Sequence, residues 1–218
     1  PSSAASDVYK RQIAETKGVV AIGNITKVYN EEQKFPEMNA YCISKLYADW
    51  TTDGAKTAHS EALTEENVLT VFDEMMKDMD NKRVPRAGRI LYVTPDVRTL
   101  INNAKQIYRT VDVGSRSDAI KRAINSIDDV KIPESVPSDM MKTKYDFTEG
   151  WKVDSTAKQI NMVLVHPMAV ITPISYEFAQ LDPPSAGSQG KYDYFEESFE
   201  DVFILPHKMD AIDFHVNA

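Results

Sequence analysis

Gln159-Ile160-Asn161-Met162-Val163-Leu164-Val165-His166-Pro167 opens the stretch that decides the fold. Ala169-Val170-Ile171-Thr172-Pro173-Ile174 follows, and then a loop of Pro, Gly and Ser. After the loop come Tyr192-Asp193-Tyr194-Phe195, Asp201-Val202-Phe203-Ile204-Leu205 and Ala211-Ile212-Asp213-Phe214-His215-Val216. These read as strand after strand. No catalytic motif falls between them.

Upstream a helical period of about 3.6 takes over from the strand-like runs. Thr64 is a suitable N-cap, and Glu65 and Glu66 suit the positive end of a helix. Val68, Phe72, Met75 and Met79 then recur at i, i+4, i+7 and i+11, with Leu69 and Met76 beside them, which predicts an amphipathic helix over 64–82. Pro85 and Gly88 separate it from a strand, Arg89-Ile90-Leu91-Tyr92-Val93. Thr94-Pro95-Asp96 is an N-cap, a proline at N1 and an acid in the first turn. Val97, Leu100, Ile101, Ala104 and Tyr108 give that helix its buried stripe.

Nearer the start, Pro36 can stand at N1 of a helix running to Trp50, with Met38, Tyr41, Cys42, Lys45 and Leu46 on its inner face. Residues 19–31 have near-helical spacing weakened by Gly18 and Gly23, and 51–60 read as a loop. Residues 110–117 are a polar loop. Residues 119–134 fit a helix through Ile120, Ala123, Ile124 and Ile127, or a strand through Val130 and Ile132 stopped by Pro133. Residues 135–158 are irregular and hold Tyr145, Phe147 and Trp151. Helices early and strands late make the class α+β.

Composition narrows the function. A chain of 218 residues can bury a core as one large domain or two small ones. A formal charge of -8 argues against a dedicated nucleic-acid binder, which needs a basic face. No apolar run approaches the ~20 residues that span a bilayer. Cys42 is the single cysteine, so no internal disulfide forms, and it reads as a small core hydrophobe. Residues 1–12, Pro1 to Gln12, resemble adapter-derived read-through ahead of a truncated coding region, with a native tail as the alternative.

Candidate chemistry is sparse. None of His59, His166, His207 and His215 sits two to five residues from another His or Cys, so the usual zinc spacings are absent. His166 reads as a hydrogen-bonded strand-terminal residue, and His207 as solvent-facing. Glu196-Glu197-Ser198-Phe199-Glu200-Asp201 alternates badly for convergence on one cation and reads as a solvated strand face or turn. The loop Pro183–Gly190 reads as an ordered surface loop, and the Met-rich helix as core. Phosphate-loop, dinucleotide and nucleophile-elbow motifs are absent. No catalytic, cofactor or metal residue is assigned, and no cofactor is expected.

Several blocks together carry a resemblance. Phe35-Pro36-Glu37-Met38-Asn39-Ala40-Tyr41 resembles a proline–glutamate–apolar–aspartate–alanine–tyrosine stretch of tailed-phage major capsid proteins, with Asn39 in place of the acid. Arg89 to Val97, Ile127 to Ile132, Val136 to Thr143, Ile160 to Pro167 and Asp201 to Phe203 are similar to later blocks in the same order. The likeness covers roughly residues 19–217.

It implies the Hong Kong 97-like capsid fold, here lacking the N-terminal arm and extended hairpin loop. The implied domains are the spine-helix part of a peripheral domain at 13–60, a mostly axial domain at 61–150, and shared strands at 151–218. The implied role is a non-enzymatic subunit that self-assembles into an icosahedral shell in the bacterial cytoplasm and resides in the virion. Its partners would be copies of itself, with scaffold, protease, portal or decoration proteins beside it. It would enclose DNA without reading its sequence, and no membrane is involved. Two alternatives stay open: an encapsulin-like compartment shell, and a monomeric interaction module or enzyme with an unrecognised site.

Overall fold

The computed structural model describes residues 24, 26–104, 124–148, 150–187, 189–190 and 192–217. Three α-helices are α1 (Phe35–Thr52), α2 (Val68–Asn81) and α3 (Pro95–Asn103). The strands are β1 (Ile90–Val93), β2 (Ser126–Ile127), β3 (Val130–Lys131), β4 (Tyr145–Asp146), β5 (Lys152–Val153) and β6 (Ile160–Val165). They continue with β7 (Val170–Ile171), β8 (Ile174–Asp182), β9 (Asp193–Glu200), β10 (Phe203–Ile204) and β11 (Ile212–Val216). Helices early and strands late is the α+β order that the sequence predicts.

The chain divides into two compact units. One comprises the described residues up to Met38 together with Pro173–Asp201. The other comprises Asn39–Thr172 and Val202–Ala218.

The larger unit is built on a mixed sheet of order β11-β6-β1-β3-β2. Its neighbours are antiparallel except β1 and β3, which run parallel. Leu91 and Val93 of β1 join Met162 and Leu164 of β6 on one face, under Phe72, Met75 and Met79 of α2 and Val97 and Ile101 of α3. Val163, Val165, Ile212 and Phe214 form the other face, under Leu46 and Trp50 of α1. With both faces covered, β6 is buried at every position, which is why its sequence is a continuous apolar run rather than an alternation.

Both predicted helix starts around β1 are recognisable. The Thr94 hydroxyl accepts from the Val97 N–H, with Pro95 at the first helical position, so α3 begins where the sequence places it. At α2 the cap lies further on. Thr64 and Asn67 bond reciprocally, Asn67 Oδ1 accepting from the Thr64 N–H at 2.7 Å. That exchange closes a turn at 65–67, and α2 begins at Val68.

The beginning of α1 differs from expectation. Residues 24 and 26–29 are helical, and a π-helical turn at Asn30–Lys34 leads directly into Phe35. Pro36 therefore lies inside a continuing helical path and does not start one. A proline has no N–H to donate and its ring crowds the preceding turn, so a wider turn just before it relieves both problems. The buried stripe is also rotated from the expected one. Ala40, Ser44, Leu46 and Trp50 face inward, while Tyr41 is exposed and packs edge-on to Phe147 at 5.6 Å. Trp50 fixes this rotation: its indole N–H donates to the Ile212 carbonyl at 2.9 Å and its ring packs on Phe214 at 5.1 Å.

Residues 126–131 resolve the helix-or-strand alternative as a hairpin. Asp128 and Asp129 both have positive φ, 48° and 65°, and turn β2 tightly into β3. Ile120 and Ala123 of the helical alternative, Tyr108, the loop 110–117 and the tail 1–12 lie outside the described residues.

Arg89 precedes β1 and is fully buried. Its guanidinium donates to Asp80 Oδ1 and the Val84 carbonyl, both at 2.7 Å, and to the Pro85 carbonyl at 3.0 Å. It thus ties the C-terminal end of α2 to the start of β1, where a cation suits the negative helix end.

Candidate assembly surface

The smaller unit carries a long two-stranded ribbon. β8 pairs antiparallel with β9 from Ile174↔Glu200 to Asp182↔Asp193. The sequence predicts strands around 169–174 and 192–195, and a strand face or turn at 196–201. Ser175 to Asp182 also form strand, with the proline-bearing loop 183–192 as the connection. The missed signal is the alternation Tyr176, Phe178, Gln180 against Glu177 and Ala179.

The two faces of this ribbon differ. Residues directly opposite share a face, so the register puts Tyr176, Phe178, Phe195 and Phe199 on one side. Tyr176 packs on Phe199 at 5.7 Å and Phe178 on Phe195 at 6.0 Å. All four are exposed, Phe195 at 55% and Phe199 at 56%. Glu196 and Tyr194 lie on the other side. The Tyr194 hydroxyl donates to Glu196 at 2.8 Å, and Lys34 pairs with the same carboxylate. Lys34 holds the Glu196 carboxyl below its ordinary value, and the pairing raises Lys34 in return. The acidic run of β9 is therefore strand through Glu200: Glu197 lies between Phe195 and Phe199 on the aromatic side, Glu196 on the other, and Glu196, Glu197 and Glu200 are half-buried.

A second feature of the larger unit is an apolar groove of about 460 Å3 beside α1, lined by Cys42, Ile43, Leu46, Tyr92, Val163 and Phe214 among others. No histidine, carboxylate, lysine or arginine lines it. Burial pushes the Cys42 thiol up, away from the thiolate that a nucleophile needs.

A third is polar and lies beside β11. His59 adds to the edge of that strand, its N–H donating to the Phe214 carbonyl at 3.0 Å while its own carbonyl accepts from Val216 at 2.8 Å. This brings His59 Nε2 to 3.3 Å from Asp213 Oδ2 and 3.5 Å from Asp78 Oδ2. Asp213, first of these partners, raises the His59 pKa.

No family profile matches the chain, and no curated protein matches it. Solved structures do. The chain is similar to the asymmetric unit of the bacteriophage PhiM1 mature capsid, at a TM-score of 0.53 and 16% identity over 74% of this chain. The chain has a phage capsid fold. It spans about half of that subunit, 51% of its length. A structure from Mycobacterium phage Che8 is also similar, at a TM-score of 0.49 and 10% identity, over 90% of this chain and 61% of that one.

Within this capsid fold the other singled-out residues have structural positions. His166 Nε2 donates to the Ala87 carbonyl at 3.0 Å, so it is the hydrogen-bonded strand-terminal residue the sequence predicts, and its Nδ1 also caps the following turn by accepting from the Met168 N–H at 3.2 Å. His207 is exposed in the turn after β10. His215 is buried, with Nε2 on the Glu61 carbonyl at 2.9 Å and Nδ1 accepting from the Asn161 amide at 3.2 Å. Burial holds it below the ordinary histidine pKa. Met75, Met76 and Met79 are core. Among the described residues no helix is long and apolar enough to cross a membrane.

The His59–Asp78–Asp213 cluster escapes sequence reading. Its members are far apart in the chain, and only the pairing of residue 59 with β11 beside α2 gathers them.

Proposed function

We propose that this chain is the structural subunit of a phage capsid, and that copies of it associate into a closed shell around the genome. The fold shared with the PhiM1 mature capsid carries the reading. The exposed aromatics of the β8/β9 ribbon support it, because four large rings exposed on one face, here interrupted by Glu197, suit a protein contact. The subunit then has a structural and not an enzymatic role, and its place is the virion. In this reading residues 13–60 contribute the spine of a peripheral domain and 61–150 belong mostly to an axial domain. The shell confines DNA by geometry, which agrees with a chain of net charge -8. Repeated, individually modest contacts suffice, since each subunit engages several neighbours at once.

Negative-stain electron microscopy of the protein expressed from its whole open reading frame tests this. Closed shells or regular capsomer rings are the expected result. Monodisperse monomers across a wide range of concentration and salt would reject it.

A further inference from the structure

We propose that His59, Asp78 and Asp213 bind one divalent transition-metal ion, with zinc the best fit. Three separate segments supply the ligands: the loop before α2, the exposed side of α2, and the sheet-edge strand β11. Their ligand atoms all lie within 4.8 Å of one another. Two atoms bound to a tetrahedral zinc at the usual bond length stand about 3.3 Å apart. His59 Nε2 stands 3.3 Å from Asp213 Oδ2 and 3.5 Å from Asp78 Oδ2. At these distances His59 hydrogen-bonds Asp213 and pairs with Asp78, and the same spacing would serve ligands of one shared ion.

The donor chemistry agrees. One imidazole and two carboxylates suit a borderline cation such as zinc better than magnesium, which prefers oxygen and keeps its waters. Asp213 is oriented for the task, because its other oxygen accepts from the Phe214 N–H at 2.8 Å. The cluster borders a hollow of about 340 Å3, also lined by Lys56, Asn81 and Lys82, which leaves water access for the remaining coordination position.

Charge agrees as well. Glu61 and Glu74 form a second group with His59, so four carboxylates surround one ring. Among the described residues neither Asp78 nor Asp213 pairs with a lysine or an arginine, and Lys56 is engaged by Asp210. A protonated His59 would bridge the same two carboxylates with a single positive charge. A zinc ion replaces that proton with two charges and locks the loop, the helix and the strand together. The inference stands independently of the capsid reading.

Calorimetric titration of untagged full-length protein with zinc chloride, paired with thermal unfolding, is the test. The expected result is one saturable site per chain and a rise in Tm that magnesium at equal concentration does not produce. Asp78 is 61% exposed, so Asp78→Asn keeps the fold, which circular dichroism verifies. That variant should bind at least about 100-fold more weakly, beyond the roughly 10–100-fold that loss of a hydrogen-bond partner behind a ligand costs. Glu74→Gln should bind as the parent does. Absence of saturable zinc binding, or undiminished binding in folded Asp78→Asn, overturns the proposal.

Discussion

Arg89 is a charge inside a core, and a buried cation survives only where its donors are matched. Asp80 supplies the negative partner and backbone carbonyls take the remaining donors. Asp80→Ala leaves the carbonyls in place but removes the counter-charge, at a cost of about 2 kcal/mol. Urea unfolding at neutral pH reads this as a lower midpoint with an unchanged slope. The pH dependence has a defined sign. Arg86 first, and then Arg89, hold the Asp80 carboxyl below its ordinary value of 3.8. A depressed folded value means the stabilisation is complete above the ordinary value and fades as pH falls through the folded one. The gap between parent and Asp80→Ala should therefore narrow in acid. A gap that widens there would contradict the pairing. In the sequence Arg89 reads only as the first residue of a strand, because its partners belong to the helix end and the loop after it.

At the scale of elements, legibility follows how local the decisive contact is. The start of α3 could be read to the residue, since Thr94, Pro95 and Asp96 form a cap with its own backbone, whereas its end at Asn103 falls short of the expected stripe, which included Ala104. α2 could be read by its stripe, and Val68, Phe72, Met75 and Met79 are all buried. Met75→Ala should cost about 2–5 kcal/mol through lost burial and a residual cavity, while exposed Met168→Ala should change stability by under about 0.5 kcal/mol. Chemical denaturation of the two variants side by side checks the contrast; similar losses would mean α2 does not carry the core. The rotation of α1 was not legible, because both sides of that helix carry apolar residues. Its inner side is chosen by Trp50 reaching a carbonyl on β11, some 160 positions away. Most of β8 escaped because its alternation is aromatic against polar without a buried face. Its eight residues from Ser175 onward are all exposed. The candidate metal cluster is the extreme case, a site that exists only once residue 59 has joined the sheet.

For the whole molecule, the ribbon is where folding and assembly can be separated. Tyr176, Phe178, Phe195 and Phe199 are exposed, so they contribute to the subunit's own stability chiefly through cross-strand pairing, each pair worth about 0.2–1 kcal/mol. In a shell the same rings would be desolvated against a neighbour, where truncating a buried aromatic anchor costs about 2 kcal/mol or more. In the proposed shell every subunit would repeat that contact, so the loss would multiply across the assembly while the monomer loses little. Phe195→Ser combined with Phe199→Ser should accordingly leave the circular dichroism spectrum intact and shift the thermal midpoint only slightly. Under the proposed function, light scattering should then report free subunits or small rings at concentrations where the parent would form shells. Lys34→Ala, which removes the ion pair on the opposite face, serves as the comparison and should leave assembly largely intact. Shells that form normally from the double variant would remove the aromatic face from the assembly contact and leave the apolar groove beside α1 as the next surface to test.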